Sequence, residues 1–347
     1  MRRTILTLVF LVVGFGAAGA LWLRGYVASP LALPAGGYRL DIPPGTAWSA
    51  VARQLQDDGI TPWGWALRTT AQLTGQAGRI QAGEYDLAPG LTPGSLLAQL
   101  VEGRVVLHKF TLVEGWSVRD VLQAIRDTPA LEQTLAGTQA GGNAADVPRE
   151  LARELDLPWQ SAEGAFLPET YLYARGTTDR AILSRAHTAL KDKLADAWAT
   201  RDPALPLGSP YELLTLASIV ERETALASER PLIAGVFVQR LRKGMRLQTD
   251  PTVIYGLGQG FDGNLTRVDL STDTPWNTYT RDGLPPTPIA APSAVALVAT
   301  SRPADTDLLF FVATGDGDGS HRFSATLREH EAAVRDYLAA LSQRNVN

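Results

Sequence analysis

The sequence predicts an α+β protein with an N-terminal transmembrane helix, a small α+β module and a larger α+β domain. Three observations lead to this prediction. The chain opens with a long uncharged run, then alternates short strand-like and helix-like segments between proline and glycine turns, and later contains a helix with a well-marked start at Ser209. A length of 347 residues, 45% of them hydrophobic, leaves room for two or more folded units.

The first element is an uncharged run at residues 4–23, which follows Met1-Arg2-Arg3 and ends before Arg24. About twenty apolar residues match the hydrocarbon core of a bilayer. Ala18-Gly19-Ala20 resembles a signal-peptide cleavage site, but the run is longer than the usual apolar core of roughly 7–15 residues, so we expect an uncleaved anchor. The arginines predict that residues 1–3 form a cytoplasmic tip of a single-pass protein, with everything after Arg24 in the periplasm, outside the inner membrane.

A linker containing proline, alanine and glycine is expected at residues 24–37, followed by a module at residues 38–107. Strands are predicted at 38–43 and 83–87, and helices at 46–58, 63–73 and 93–102. Three segments form a weak internal repeat: PPGTAWSAVARQL, LTPGSLLAQLVEG and VEGWSVRDVLQAI. Each has a glycine followed by a polar residue that could cap a helix. These units resemble LysM-like modules, which bind glycans that contain N-acetylglucosamine; a structural spacer is the alternative.

The helix that begins at Ser209 ends in a pair of carboxylates. Ser209 can cap the helix, Pro210 suits its first position, and Glu212 completes an S-x-x-E capping box. The predicted apolar face leaves Glu221 and Glu223 on opposite borders; it consists of Leu213, Leu216, Ala217, Val220 and Thr224.

Either glutamate can act as a general acid, because partial burial raises the pKa of a carboxyl group. The alternative is that both are surface residues that pair with Arg222 or Arg230.

Several polar side chains are candidates for hydrogen bonds to a ligand. They are Gln248, Thr249 and Asp250 in a turn before Pro251, Asn277 and Tyr279 in NTYT, Glu169 in LPETY, and His321. For each of them the alternative is a structural hydrogen bond within the protein. The glycines of GDGDG before His321 predict a hairpin turn between the strands LLFFVA and HRFSA.

Composition and motifs exclude other classes of protein. The chain has no cysteine for disulfides or thiolate chemistry, and its net charge of −4 with scattered basic residues argues against nucleic acid as a partner. The four histidines lack the spacing of a metal site, so we expect neither a metal nor another cofactor. The small-residue segment 137–146 is expected to be a loop.

Five segments together resemble the YceG-like family of endolytic murein transglycosylases. They are GAFLPETYLY (164–173), ASIVERETALASER (217–230), RLRKGMRLQTDPTVIYG (240–256), NTYTRDGLPPTPIAAPSAVAL (277–297) and LLFFVATGDGDGSHRFSATLREH (308–330). The resemblance covers nearly the whole chain beyond the anchor and implies a catalytic domain at residues 108–340. It places the catalytic residue at the second glutamate of the pair, Glu223. It also places Gln248–Asp250 and the NTYT segment near Glu223, and the His321 segment in the catalytic domain.

The resemblance implies a lytic transglycosylase that cleaves the β-1,4 bond between N-acetylmuramic acid and N-acetylglucosamine in nascent glycan strands. The muramic acid is captured by its own C6 hydroxyl, giving a 1,6-anhydro end, so one carboxyl group suffices. It further implies termination of strand growth and cooperation with peptidoglycan synthases. Two alternatives remain open: a muramidase with Glu169 or Asp250 as its second carboxylate, and a membrane-anchored glycan-binding scaffold without catalysis.

Overall fold

The structure is a computed structural model that describes residues 2–136 and 146–344. It has the predicted α+β architecture and divides into two compact units. The first unit contains residues 1–108 and 172–176, and the second contains residues 109–171 and 177–347. Met1 of the predicted cytoplasmic tip, and all but the last residue of the predicted loop at 137–146, lie outside the described residues.

Helix α1 (Arg2–Ala28) is long and apolar enough, by length and composition, to cross a membrane. It continues beyond the predicted end at residue 23. Tyr26 and Leu31 are buried in the core of the first unit, and the N–H groups of Leu31 and Ala32 donate to the carbonyls of Leu91 and Ile60. The predicted linker at residues 24–37 thus begins within α1, and part of it packs on the core of the first unit, because burying its apolar side chains is favourable.

The first unit is built around one antiparallel strand pair. Tyr38 pairs with Leu87 at one end and Ile42 pairs with Gly83 at the other. The elements of this unit after α1 are β1 (Tyr38–Ile42), α2 (Trp48–Asp57), α3 (Gly64–Leu73), β2 (Gly83–Leu87) and α4 (Pro93–Glu102). The predicted strands and helices are thus confirmed to within two residues.

The polar residues of the internal repeat do not all cap a helix. The N-cap of α2 is Ala47, without a side-chain hydrogen bond, and α4 is capped by Thr92, with Ser95 completing a capping box. In the third segment of the repeat, Ser117 does cap the helix, with Asp120 completing a capping box. The shared pattern therefore predicts three helix starts correctly, but the capping residue in only one of them.

A second strand pair contains residues from both units. It consists of β3 (Leu107–Thr111) and β4 (Thr170–Ala174), and residues 172–176 belong to the first unit. Three helices of the second unit lie near it in the chain: α5 (Val118–Arg126), α6 (Val147–Glu154) and α7 (Asp179–Ala199).

Helix α8 (Pro210–Glu223) is the centre of the second unit. It contacts α7, α9 (Arg230–Arg242), α10 (Asp250–Leu257) and α12 (Ala294–Ser301). Every residue from Leu213 to Glu221 is buried, so the single apolar face predicted from the sequence is corrected to a helix covered on all sides. Neighbours on several sides leave no stretch of this segment facing water.

The start of α8 differs from the prediction in one hydrogen bond. The Ser209 side chain accepts from the N–H of Glu212, as expected. The Glu212 carboxylate accepts from the N–H of Gly208 at 2.7 Å, one residue before the position that a capping box requires.

The C-terminal part of the second unit contains the predicted hairpin. Strand β5 (Phe310–Ala313) pairs with β6 (His321–Ser324), and Gly315, Gly317 and Gly319 adopt positive φ in the turn between them. The remaining elements are a 3-10 turn (Gly258–Gly260), α11 (Arg267–Ser271) and α13 (Leu327–Arg344). The turn explains the glycines of GDGDG, because positive φ costs glycine little.

Candidate functional site

Glu223 is the last residue of α8 and lies on the walls of two cavities. One cavity has a volume of about 710 Å³ and is also lined by Glu114, Glu169 and Arg222. The other has a volume of about 360 Å³ and is lined by Gln248, Asp250 and Tyr279, among others. Glu223 therefore belongs to the walls of both spaces.

The environment of Glu223 favours its protonated form. The pKa of Glu223 is raised to about 7 in total: burial and the charge of Asp250 raise it, while a hydrogen bond from the Thr249 hydroxyl to Oε1 and the charge of Arg240 lower it. A carboxyl group with this pKa is about half protonated at neutral pH, so it can give a proton to a ligand and take one back.

Thr249 holds Glu223 in place and is itself inaccessible. Its side chain is buried, its N–H donates to the hydroxyl of Thr278 at 3.1 Å, and its carbonyl accepts from the hydroxyl of Thr252 at 2.7 Å. The two supporting hydroxyls lie 2.9 Å apart. Thr249 therefore makes structural hydrogen bonds, the alternative to a substrate contact.

Gln248, Asp250 and Tyr279 come together on the second cavity. Gln248 is exposed and has a φ of 48°, which non-glycine residues rarely adopt and which often marks a functional turn. The Tyr279 hydroxyl donates to Oδ1 of Asp250 at 2.6 Å, and both side chains line this cavity. These three predicted residues thus face the same space as Glu223.

Asn277 does not face this space. Its side chain is fully buried, its amide nitrogen donates to the carbonyls of Asp269, Leu270 and Thr272, and its amide oxygen accepts from the N–H of Tyr279 at 2.8 Å. All of its polar atoms are used within the protein. The structural alternative therefore describes Asn277, whose hydrogen bonds hold the loop that contains Tyr279.

Glu169 and His321 have different surroundings. Glu169 is exposed on the first cavity, and among the described residues its carboxylate has no hydrogen bond or ion pair. His321 lines neither cavity: its Nδ1 is 2.7 Å from the Glu229 carboxylate and its N–H donates to the same group at 2.9 Å. The structure therefore brings Glu169 to Glu223 and gives His321 the role of holding the hairpin to the start of α9.

Glu221 also lines the first cavity, but partners within the protein take up both of its carboxylate oxygens. Arg230 forms a salt bridge to it at 2.6 Å, and both the N–H and the hydroxyl of Ser293 donate to its other oxygen. Of the two sequence alternatives for the pair, pairing with Arg230 is confirmed for Glu221 and does not apply to Glu223.

Two residues of the second cavity are missed by the sequence analysis. Arg240 is buried, donates to the carbonyls of Leu309 and Leu247, and lies over the ring of Phe310 at 5.2 Å. His330 stacks on the same ring at 5.1 Å, and its buried Nδ1 has no hydrogen-bond partner among the described residues. Burial, with Arg240 nearby, lowers the pKa of His330, so its imidazole is neutral at pH 7.

Glu163 is a third residue with an unusual environment that no motif in the sequence indicates. It is buried, accepts from the N–H of Val118 and from the hydroxyl of Tyr255, each at 3.0 Å, and burial raises its pKa to about 7. It lines a cavity of about 290 Å³ with Arg119 and Arg222. Glu163 thus joins the start of α5 to α10.

No metal site emerges from the part of the chain that the structure describes, since it contains no group of three or more His, Asp or Glu side chains that could hold an ion.

Comparisons with known proteins agree on one family. A family model described as the YceG-like family matches residues 40–336. An endolytic murein transglycosylase of Bacillus subtilis (strain 168) is 29% identical over 317 residues, which cover 88% of this chain and 86% of that protein.

A second relative and a solved structure extend the comparison. An endolytic murein transglycosylase of Streptococcus pneumoniae serotype 2 (strain D39 / NCTC 7466) is 26% identical over 322 residues, which are 86% of this chain and 58% of that longer protein. The crystal structure of a YceG-like protein from Listeria monocytogenes aligns with a TM-score of 0.50 and 27% identity, covering 85% of this chain and 99% of the other.

Proposed function

The chain belongs to the YceG-like family, and we propose that it is a peptidoglycan lytic transglycosylase that cuts within glycan strands. The relatives named as endolytic murein transglycosylases support this activity. The observation that carries the proposal is the position of Glu223, a carboxyl group with a pKa of about 7 between two open cavities.

In the proposed reaction Glu223 acts first as acid and then as base. Its proton goes to the oxygen between N-acetylmuramic acid and N-acetylglucosamine, the bond from C1 of muramic acid to that oxygen breaks, and C1 acquires oxocarbenium character. The C6 hydroxyl of the same sugar then attacks C1 and returns its proton to Glu223. The products are a 1,6-anhydro-muramic acid end and a free 4-hydroxyl, and no water is consumed. Because one carboxyl group serves both steps, a second catalytic carboxylate is unnecessary.

Cutting inside a strand requires sugars on both sides of the acid. The two cavities that meet at Glu223 supply this space. In the smaller cavity, the amide of Gln248 and the phenol of Tyr279 can form hydrogen bonds with acetamido or hydroxyl groups. The Thr249 hydroxyl holds the Glu223 carboxyl group by a hydrogen bond. Glu169 lines the larger one, where it can accept hydrogen bonds from sugar hydroxyls.

The anchor places this activity near a membrane. We propose that α1 spans the inner membrane once, with the rest of the chain in the periplasm, because the charge-free run follows two arginines. The first unit has two helices between the two strands of its strand pair. This order supports a LysM-like module that binds the glycan. Held there, the enzyme cuts nascent strands, terminates their growth and cooperates with peptidoglycan synthases.

The rival chemistry is hydrolysis with a second carboxylate. Glu169 shares the first cavity with Glu223, and Asp250 shares the second, although the Asp250 carboxylate already accepts from Tyr279. A hydrolase would leave reducing ends instead of anhydro ends. The nature of the new end therefore separates the two mechanisms.

The test is mass spectrometry of the products from uncrosslinked peptidoglycan strands incubated with the full-length protein. We expect internal fragments with 1,6-anhydro ends from the wild type and from Glu169→Gln, and none from Glu223→Gln. Reducing ends from the wild type would establish a two-carboxylate hydrolase, with Glu169 or Asp250 as the second carboxylate. Binding without any cleavage by the folded wild type would leave the scaffold alternative.

A further inference from the structure

A cluster of aromatic rings joins the end of α1 to the start of α3. The Trp22 ring lies 5.3 Å from that of Trp65, nearly parallel to it, and 5.0 Å from that of Trp63, edge to face. Tyr26 stacks on Trp22 at 5.8 Å and meets Trp63 at 5.7 Å. Although Tyr26 is buried, Trp22, Trp63 and Trp65 remain 40%, 41% and 53% exposed. A contiguous exposed patch of large aromatic side chains marks an interaction surface.

The length of α1 determines how deep this cluster would lie in a bilayer. The charge-free residues 4–23 form about twenty residues of helix, or about 30 Å at 1.5 Å per residue, which is the thickness of a bilayer core. Trp22 is the last residue but one of that run. With α1 across a bilayer, Trp22 lies at the outer boundary of the core, where tryptophan is favoured in membrane proteins. Rings that touch the Trp22 ring lie at nearly the same depth.

The connection between α1 and the rest of the first unit is not a free hinge. The helix continues without a break to Ala28, and the Tyr26 hydroxyl lies 2.8 Å from that of Thr61, just before α3. The N–H of Leu31 is bound to the carbonyl of Leu91. The position of α3 relative to α1 is therefore fixed by buried contacts.

We propose that Trp63 and Trp65 insert into the headgroup region of the bilayer that α1 crosses, so that the first unit docks on the membrane surface through the start of α3. The proposal rests on the anchoring role given to α1 in the proposed function. Two exposed cations are near the rings in sequence, Arg24 two residues after Trp22 and Arg68 three residues after Trp65, and such charges complement lipid phosphates. The amphipathic indole rings suit this zone, because their N–H groups stay near water while their carbon surface leaves it.

A glycan is the alternative occupant, since sugars also stack on exposed tryptophans. The stacking of Trp65 on Trp22 argues against it, because each of these rings has one face already covered by the other. The patch also continues the lipid-facing surface of α1 without interruption, and that continuity favours lipid.

The chain lacks cysteine, so single-cysteine variants carry a nitroxide label at one chosen place. We would label Trp65→Cys and Arg68→Cys on α3, Phe10→Cys inside the span, and Asp41→Cys, an exposed residue of β1, as the matched control in the same unit. The full-length protein is reconstituted in vesicles of phosphatidylethanolamine and phosphatidylglycerol. Power-saturation spectroscopy then compares accessibility to oxygen, which prefers lipid, with accessibility to a water-soluble nickel chelate.

We expect the oxygen-to-nickel ratio at positions 65 and 68 to be several-fold higher than at position 41. Equal ratios at positions 41, 65 and 68, with the position 10 label embedded, would overturn docking and leave the anchor intact. A water-exposed label at position 10 would overturn the anchor itself, and docking with it. Protection of position 65 by soluble N-acetylglucosamine oligomers, without protection by lipid, would assign the patch to glycan instead. Arg68→Cys keeps all four rings, so its result does not depend on the loss of Trp65.

Discussion

Glu221 and Glu223 lie two residues apart at the end of α8, yet Glu221 is bound to the Arg230 guanidinium at 2.6 Å whereas Glu223 accepts a hydrogen bond from the neutral hydroxyl of Thr249. The two carboxyl groups therefore have opposite uses. A guanidinium neutralises the first, so it serves the fold. The second retains a proton near pH 7 and faces open space, so it is available for chemistry.

The first prediction concerns the alkaline limb of activity. The proposed reaction begins with protonated Glu223, so kcat/KM should fall as pH rises through about 7. The Thr249 hydrogen bond lowers the pKa of Glu223 and the charge of Asp250 raises it. Thr249→Val should therefore move the limb to higher pH, and Asp250→Asn should move it to lower pH. Thr249→Ser, which keeps the hydroxyl, is the control; shifts in the same direction for the first two variants would contradict the assignment.

The second prediction concerns the buried ion pair of Glu221. Glu221→Gln removes the closer, buried partner of Arg230 and leaves it only the exposed carboxylate of Glu114, 3.6 Å away. Breaking a buried ion pair costs about 3–5 kcal/mol of unfolding free energy. Urea unfolding measures this loss. Glu212→Gln on the same helix should cost far less, since Glu212 is only partly buried. Recovery of most of the loss in the double variant Glu221→Gln with Arg230→Met would confirm that the unpaired charge is the cause.

The third prediction uses the pH dependence of stability. Burial raises the pKa of Glu163 to about 7 from an ordinary value of 4.5, so the folded protein holds its proton at pH values where the unfolded chain releases it. This contribution to stability is fully present below about pH 4.5 and is lost as pH rises through about 7. The difference is on the order of 3 kcal/mol. Glu163→Gln should flatten the decline in unfolding free energy over this range, and an unchanged slope would argue against a buried titrating group.

The fourth prediction separates Asn277 from Tyr279. Asn277→Ala leaves buried carbonyls without their donor and should lower the unfolding free energy by about 1–3 kcal/mol. Tyr279→Phe keeps the ring and should change stability little while raising KM for glycan strands, because it removes a hydroxyl from the second cavity. Thermal melts and steady-state kinetics on both variants test this. The reverse pattern would restore the substrate contact for Asn277.

The sequence predicts well what depends on local pattern. Proline, glycine and the spacing of apolar residues give the strands at 38–42 and 83–87, helix α4 and the β5–β6 hairpin. They also give the start of α8 at Ser209. These features are set by residues close together in the chain, so a single sequence contains the information.

Features that depend on distant residues are less visible. Burial of α8 on all sides arises from helices that pack around it. From the sequence alone, Thr215 and Ser218 suggest a polar face exposed to water, but both are buried. Glu163 stands in a glycine-containing turn, and only Tyr255, far along the chain, makes it a buried acid. Arg240 lies among other basic residues in RLRKG, a pattern typical of a solvated helix end. Asn277 and Thr249 have side chains suited to sugars, but packing directs those side chains inward.

The buried carboxylate of Glu84 has a consequence for the order of synthesis. Its partners are His108, at 2.6 Å, and Arg175, at 2.9 Å, and Arg175 reaches the first unit only after residues 109–171 have been made. A chain cut at residue 107, where the sequence suggests a boundary, would lack both partners. The first unit is therefore completed late, after the first part of the second unit has been synthesised. Fragments intended to isolate the first unit should carry residues 172–176 as well.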